Sequence, residues 1–261
     1  MLVQGAMAQP AAATSASTAT SASVDATASA VTRAGALVAS FDAGLAPNRL
    51  PRNRPAPVRL GLEGTFGSRD GSPTPALRTM RVDLVRGGRV NANGLPRCGL
   101  DDLEGTSSQG ALRRCRGALV GRGGVDTEIN FTDQPPDRNS ARVLLFNARG
   151  AVLMHVYVTY PVRATFLVPI RIVRADPRRG MILAARFPQI AAGFGSLTGF
   201  RMTINRRFTR GGERRSYLLA SCAAPPAFDR LAFQLARVTY TFVGGDRLAT
   251  SALGSCRVRN P

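Results

Sequence analysis

The chain has 261 residues, 44% of them hydrophobic, which is enough to build a sizeable core and excludes disorder throughout. All 35 basic residues are arginine, against 16 carboxylates and a formal net charge of +19, a balance that points to an anionic partner such as nucleic acid, lipid headgroups or an acidic polymer. No run of about 18 apolar residues occurs, which excludes a membrane-spanning helix.

Arginine without lysine, beside abundant alanine, glycine, valine and proline, is what GC-rich coding produces, so part of the charge is compositional. That bias does not explain the shortage of carboxylates, and the excess of cations stays informative.

At the N-terminus, Ala6-Met7-Ala8 before Gln9 reads as a small-x-small cleavage site, and residues 1–8 as the remnant of a signal peptide. Residues 9–35 are almost entirely alanine, serine and threonine, too little apolar bulk to offset the entropy of ordering. The reading for 9–54 is a disordered leader and basic linker, in which GALVASFDAGLAP could supply a first strand and NRLPRNRPAP is a proline-broken connector. The main domain is expected to fill 55–261.

From residue 55 onward the apolar rhythm has a period of two. In PVRLGLEGTF, Val58, Leu60 and Leu62 alternate with Arg59, Gly61 and Glu63, the pattern of a half-buried strand. MRVDLV repeats it. ARVLLFNARGAVLMHVYVTY holds two apolar runs around Asn147-Ala148-Arg149-Gly150 and predicts a hairpin with a buried second strand. RATFLVPIRIV, GMILAARF, LTGFRMTIN, RSYLLASC, LAFQLARVTYTF and RLATSALGSCRV continue the series, with DPRRG, TRGGE and VGGD as reversals. One segment has helical character: in SSQGALRRCRGALVG, Ser107 or Ser108 can cap the start, and Leu112, Cys115 and Leu119 share a face. The expected fold is therefore an all-β antiparallel sandwich of about nine or ten strands, with one short helix inserted at about 107–119.

Four cysteines without a CxxC pair fit two disulfides in an oxidising compartment better than zinc ligation or redox catalysis, and sequence alone permits three pairings. Arg113, Arg114 and Arg116 around Cys115 would favour a thiolate. The arrangement lacks a phosphate loop, because position 121 is glycine and the arginine comes at 122. The glycines that follow lead into a strand rather than opening a helix that could hold an anion.

GLPRCGLDDLEGTSSQGALRRCRGALVGRGG and RSYLLASCAAPPAFDRLAFQLARVTYTFVGGDRLATSALGSCRVR resemble a group of uncharacterised exported proteins of high-GC actinobacteria, over roughly residues 55–259. The resemblance implies export, a β-rich domain and local cysteine pairing, Cys98 with Cys115 and Cys222 with Cys256. Such pairing also keeps each bond within one supersecondary unit. It transfers no catalytic residue.

Catalytic signals are thin. His155 is the only histidine, so any triad must use it, yet it sits on a strand beside Leu153 and Tyr157. Asp126 and Glu128 would share a strand face, whereas glycoside hydrolysis needs two carboxyls facing each other across a bond. A secreted hydrolase using Asp126, Glu128 or His155 is thus the alternative to a binding or structural module, and a protein–protein scaffold is a third class. Asp101, Asp102 and Glu104 lack the spacing of a calcium loop, and no metal or cofactor is expected.

The strongest positive feature is INRRFTRGGERRSY. Arg206, Arg207, Arg210, Arg214 and Arg215 flank a Gly211-Gly212 tip, opposed by Glu213 alone. Guanidinium groups suit phosphate or carboxylate, although a charged hairpin can also serve to keep a sheet edge from pairing. Arg178 and Arg179 in DPRRG form a second basic tip. The expectation is an exported module at the cell envelope or outside it, holding an anionic polymer or lipid headgroup, with nucleic acid disfavoured by export.

Overall fold

The computed structural model describes residues 30–84, 87–131, 133–160, 162–174 and 180–259. The signal-peptide remnant, the leader up to residue 29, and Arg178 and Arg179 lie outside the described residues.

Strands dominate, as the alternation requires. The first half of the chain forms β1 (Ala30–Ala34), β2 (Leu37–Ala46), β3 (Arg49–Leu50), β4 (Ala56–Pro57), β5 (Arg59–Ser68), β6 (Leu77–Leu84) and β7 (Arg89–Val90). Helix α1 (Ser108–Cys115) follows, then β8 (Leu119–Ile129), β9 (Asp137–Ala148), β10 (Ala151–Val158), β11 (Ala164–Arg174), β12 (Met181–Arg186) and β13 (Gly195–Ile204). The last segment contains β14 (Arg207–Arg210), β15 (Glu213–Ser216), β16 (Leu218–Ala220), β17 (Arg230–Phe242) and β18 (Arg247–Val258).

Thirteen of these make one sheet in the order β1-β2-β5-β13-β8-β9-β10-β11-β12-β6-β17-β18-β3. Neighbours are antiparallel except β3, which joins β18 in parallel. The sheet curls until β18 lies against β1 and β2 at its other end. The all-β antiparallel class is therefore as expected, but the two layers come from a single curled sheet with more strands than the nine or ten read from the sequence.

Curling puts one set of alternate side chains inside. Ladder registers set Leu62 opposite Met202, Val143 opposite Val156, Met154 opposite Val168 and Val82 opposite Val238. At the centre Tyr240 meets the Phe66 ring edge-on, with ring centroids 4.8 Å apart. The inner face of β8 is glycine at 121 and 123, where it pairs with β13. A Cβ on Gly121 or Gly123 would collide with the carbonyls of Thr203 or Arg201, so the close approach of β13 excludes any side chain there.

The boundary near residue 55 needs correction. The sheet begins at Ala30, β2 pairs with β5 along its whole length, and Phe41 and Leu50 are fully buried. Leu37, Ala39, Phe41 and Ala43 supply an alternating inner face, and that apolar face outweighs the local signals of a linker. The basic connector is also part of the fold. Arg52 donates to the carbonyls of Ala224, Pro225 and Phe228.

The β9–β10 hairpin forms as predicted around Gly150, which takes a positive φ of 66°. Its apolar runs are continuous because both faces are covered. Residues 98–118 pack on the outside of β9 and β10, where Leu103, Ala111, Cys115 and Ala118 bury Leu144, Phe146 and Leu153 in a second small core. The Ser107 hydroxyl caps α1 by accepting from the Gly110 amide at 3.2 Å.

Both local cysteine pairings are present, with Cα–Cα distances of 5.8 Å for Cys98–Cys115 and 5.7 Å for Cys222–Cys256. The second does not join neighbouring strands of one sheet. Cys222 follows β16 in a small sheet ordered β4-β16-β7, and the bond staples it to β18 of the large sheet.

Candidate functional site

The arginine hairpin is a separate two-stranded ribbon, β14 with β15, at the end of the sheet where β13 finishes. Gly211 and Gly212 have φ of 58° and 77°, the left-handed pair that a two-residue hairpin turn demands. Because side chains alternate across a ribbon, its two faces differ. One carries Phe208, Arg210, Glu213 and Arg215 and faces the domain. There Phe208 packs against the core, Arg210 donates to Asn93 Oδ1 at 2.5 Å, and Arg215 pairs with Glu213 at 2.8 Å. Arg206 is half-buried and reaches the Gly117 carbonyl at 3.4 Å.

The other face presents Arg207 and Arg214, both exposed, and neither forms an ion pair among the described residues. The five arginines that look alike in the sequence thus divide into Arg206 and Arg210, which tie the ribbon to the domain, Arg215, which is paired within it, and two that are available. Beside the ribbon opens a broad basin of about 1080 Å³ lined by Arg89, Asn91, Asn93, Arg97 and Gly180. Arg89 and Arg97 are exposed. The strand ends Arg174 and Met181 pair with each other at this same end of the sheet.

The residues of the hydrolase alternative are not brought together. Asp126 is exposed on the outer face of β8 and accepts from Ser140 at 2.5 Å, and Glu128 is buried against the Arg138 guanidinium at 3.1 Å. His155 lies two strands away and is set against Leu144, four residues down the ladder from the Asp126 row. It is fully buried beneath the 98–106 loop, with Nε2 2.9 Å from the Thr106 carbonyl and the ring edge-on to Phe146. Burial there pulls its pKa below the usual histidine value. It clamps a loop two strands from either carboxylate. Cys98, Asp102 and Cys115 converge closely, but both sulfurs are committed to a disulfide and the Asp102 carboxylate accepts from the Gly99 amide.

No family model matches the chain, and no curated protein or solved structure matches it. Function must therefore be argued from the site itself.

Sequence reasoning missed a second site. At the end opposite the arginine ribbon, between the layers of the curled sheet, lies an apolar cavity of about 230 Å³. Its walls come from β8, β10, β11 and the 187–195 segment, with Val125, Met154, Val156, Phe166, Val168 and Leu197 prominent among them. In the sequence these are ordinary inward-facing strand residues. A gap between layers depends on how far apart the strands are held, which alternation does not encode.

Proposed function

We propose that the protein is a non-enzymatic binding module, exported to the cell envelope or the extracellular space, that holds an anionic polymer or headgroup at its arginine-ribbon end. Arg207 and Arg214, diagonal neighbours on the outward face without carboxylate partners among the described residues, carry this reading. The basin beside the ribbon adds two exposed cations, Arg89 and Arg97, and the net charge of +19 would speed the approach of an anion. Two disulfides suit an oxidising compartment. The resemblance to exported actinobacterial proteins points the same way. His155, buried two strands away from both carboxylates, favours binding over hydrolysis.

Polyphosphate and phosphatidylglycerol vesicles are suitable probes, measured over a range of salt concentrations. Binding to polyphosphate should weaken steeply with salt, because each phosphate contact releases about 0.7–0.9 of a counterion. Replacing both Arg207 and Arg214 with serine should reduce the log–log slope by roughly two contacts without changing the melting temperature. A salt-independent affinity, or a slope unchanged in the double variant, would refute the assignment.

A further inference from the structure

We propose that the apolar cavity opposite the arginine ribbon is a binding slot for a single acyl chain, with the carbonyl end of the chain held at the mouth beside Asn139. This is a second site, separate from the basic end and independent of what that end binds.

The slot is walled by apolar strands. Its long wall is the β10–β11 ladder, where Val158 faces Ala164, Val156 faces Phe166 and Met154 faces Val168. Four residues separate Val158 from Met154, about 14 Å of strand. Below Met154 the core closes, and the next pair, Val152 and Ile170, borders only a void of about 30 Å³. A volume of about 230 Å³ along that length of apolar wall has room for an extended hydrocarbon chain. No lining side chain is charged. A space of this size with apolar walls gives water too few partners, and apolar cavities of only about 150 Å³ already stay dry and take up hydrocarbon.

The mouth supplies the polar end. Asn139 and Thr127 line the cavity from opposite strands, and the Thr127 hydroxyl is used up in donating to the Asn139 carbonyl at 3.3 Å. The Asn139 Nδ2 is shut off from solvent and has no hydrogen-bond partner. An unmade bond of this kind is costly, and a turn of the amide into the slot would let a ligand carbonyl at the rim satisfy it. Asn139 belongs to the mouth because it sits beyond the last β9–β10 pairing, level with Tyr160.

Two further features mark this end. Of the ten exposed large apolar residues among those described, Phe131, Tyr160, Val162, Phe194 and Val243 lie on its loops, between 42% and 71% exposed. Apolar loops around an apolar mouth are what transfer of a chain from a lipid phase requires. The rim also holds strained backbone. Ala191 and Ala192 take φ of 47° and 53°, a left-handed conformation unfavourable for alanine that concentrates at ligand clamps.

The test is titration of the oxidised full chain with straight-chain fatty acids of increasing length. Affinity should rise about fourfold per added methylene and level off at about ten to twelve carbons, when the slot is full. Ala164→Phe places a ring in the slot and should weaken binding at least tenfold with the melting temperature preserved. Val158→Phe, nearer the mouth, gives the same readout should the first variant not fold. Matched methyl esters identify the source: retained affinity assigns an ester-linked chain, and loss on esterification assigns a free acid. The Arg207→Ser/Arg214→Ser protein should bind chains like the wild type. Affinity independent of chain length, tighter binding of a fused ring of equal carbon number, or chain binding undiminished by both phenylalanine variants would each overturn the assignment.

Discussion

Replacing Tyr240 with phenylalanine should stabilise the protein. Tyr240 on β17 is fully buried, its ring packed edge-on against Phe66 at 4.8 Å and tilted against Phe242 at 6.4 Å. Its hydroxyl has no hydrogen-bond partner, and burial pushes its pKa far above the ordinary tyrosine value. A buried polar group left unpaired costs about 1–3 kcal/mol. Removing the oxygen forfeits only its dispersion contacts, at about 0.1–0.2 kcal/mol each, and both ring contacts remain. Tyr240→Phe should therefore gain about 1 kcal/mol, raising the melting temperature by about 2–4 °C in a domain of this size. Urea unfolding of the oxidised protein, followed by far-ultraviolet circular dichroism, measures it, with an unchanged m-value showing that the folded and unfolded states stay comparable. Tyr240→Leu is the control, because losing the ring contacts should destabilise by about 2–4 kcal/mol. A loss of 1 kcal/mol or more in Tyr240→Phe at constant m would show that the hydroxyl is bonded and would refute the reasoning.

His155 should make stability depend on pH in a window below neutrality. Its folded pKa lies beneath the ordinary 6.5 because burial disfavours the imidazolium, so the unfolded chain binds the proton more readily. Stability should be level above about pH 6.5 and fall as the pH drops toward the folded pKa. Thermal melts of His155→Gln should lack that decline, and an identical decline in the variant would reassign it to other groups. Closing the 34-residue separation between Cys222 and Cys256 should contribute nearly 4 kcal/mol by chain entropy, compared with about 3 kcal/mol for the shorter loop. Cys222→Ser/Cys256→Ser should therefore unfold at lower urea than Cys98→Ser/Cys115→Ser, and the opposite order would count against the entropic account. Wild-type protein unfolded without reductant should show no free thiol by titration.

Much of the local structure was legible because alternation is a local signal. The period-two pattern of β5, β6 and β17, the turn composition at Asn147-Ala148-Arg149-Gly150 and the serine cap of α1 each lie within a few residues of one another. The even cysteine count announced two bonds, while their pairing rested on resemblance. Where reading fell short, the missing information was long-range. A strand such as β2 looks like part of a linker until Phe41 is seen to complete a core built from β5, β17 and β18.

The sequence by itself determined that this chain forms antiparallel strands with one inserted helix, and that its surface is basic. Which strands are neighbours, that one sheet curls to make both layers, and that three of five clustered arginines are tied down while Arg207 and Arg214 stay free were settled only by the tertiary structure. The same holds for the slot that runs down to Met154. Alternation fixes which side of a strand is apolar, but not which apolar surface it meets. That choice belongs to packing among residues distant in the chain, including glycines such as Gly123 whose missing side chain lets β13 approach closely.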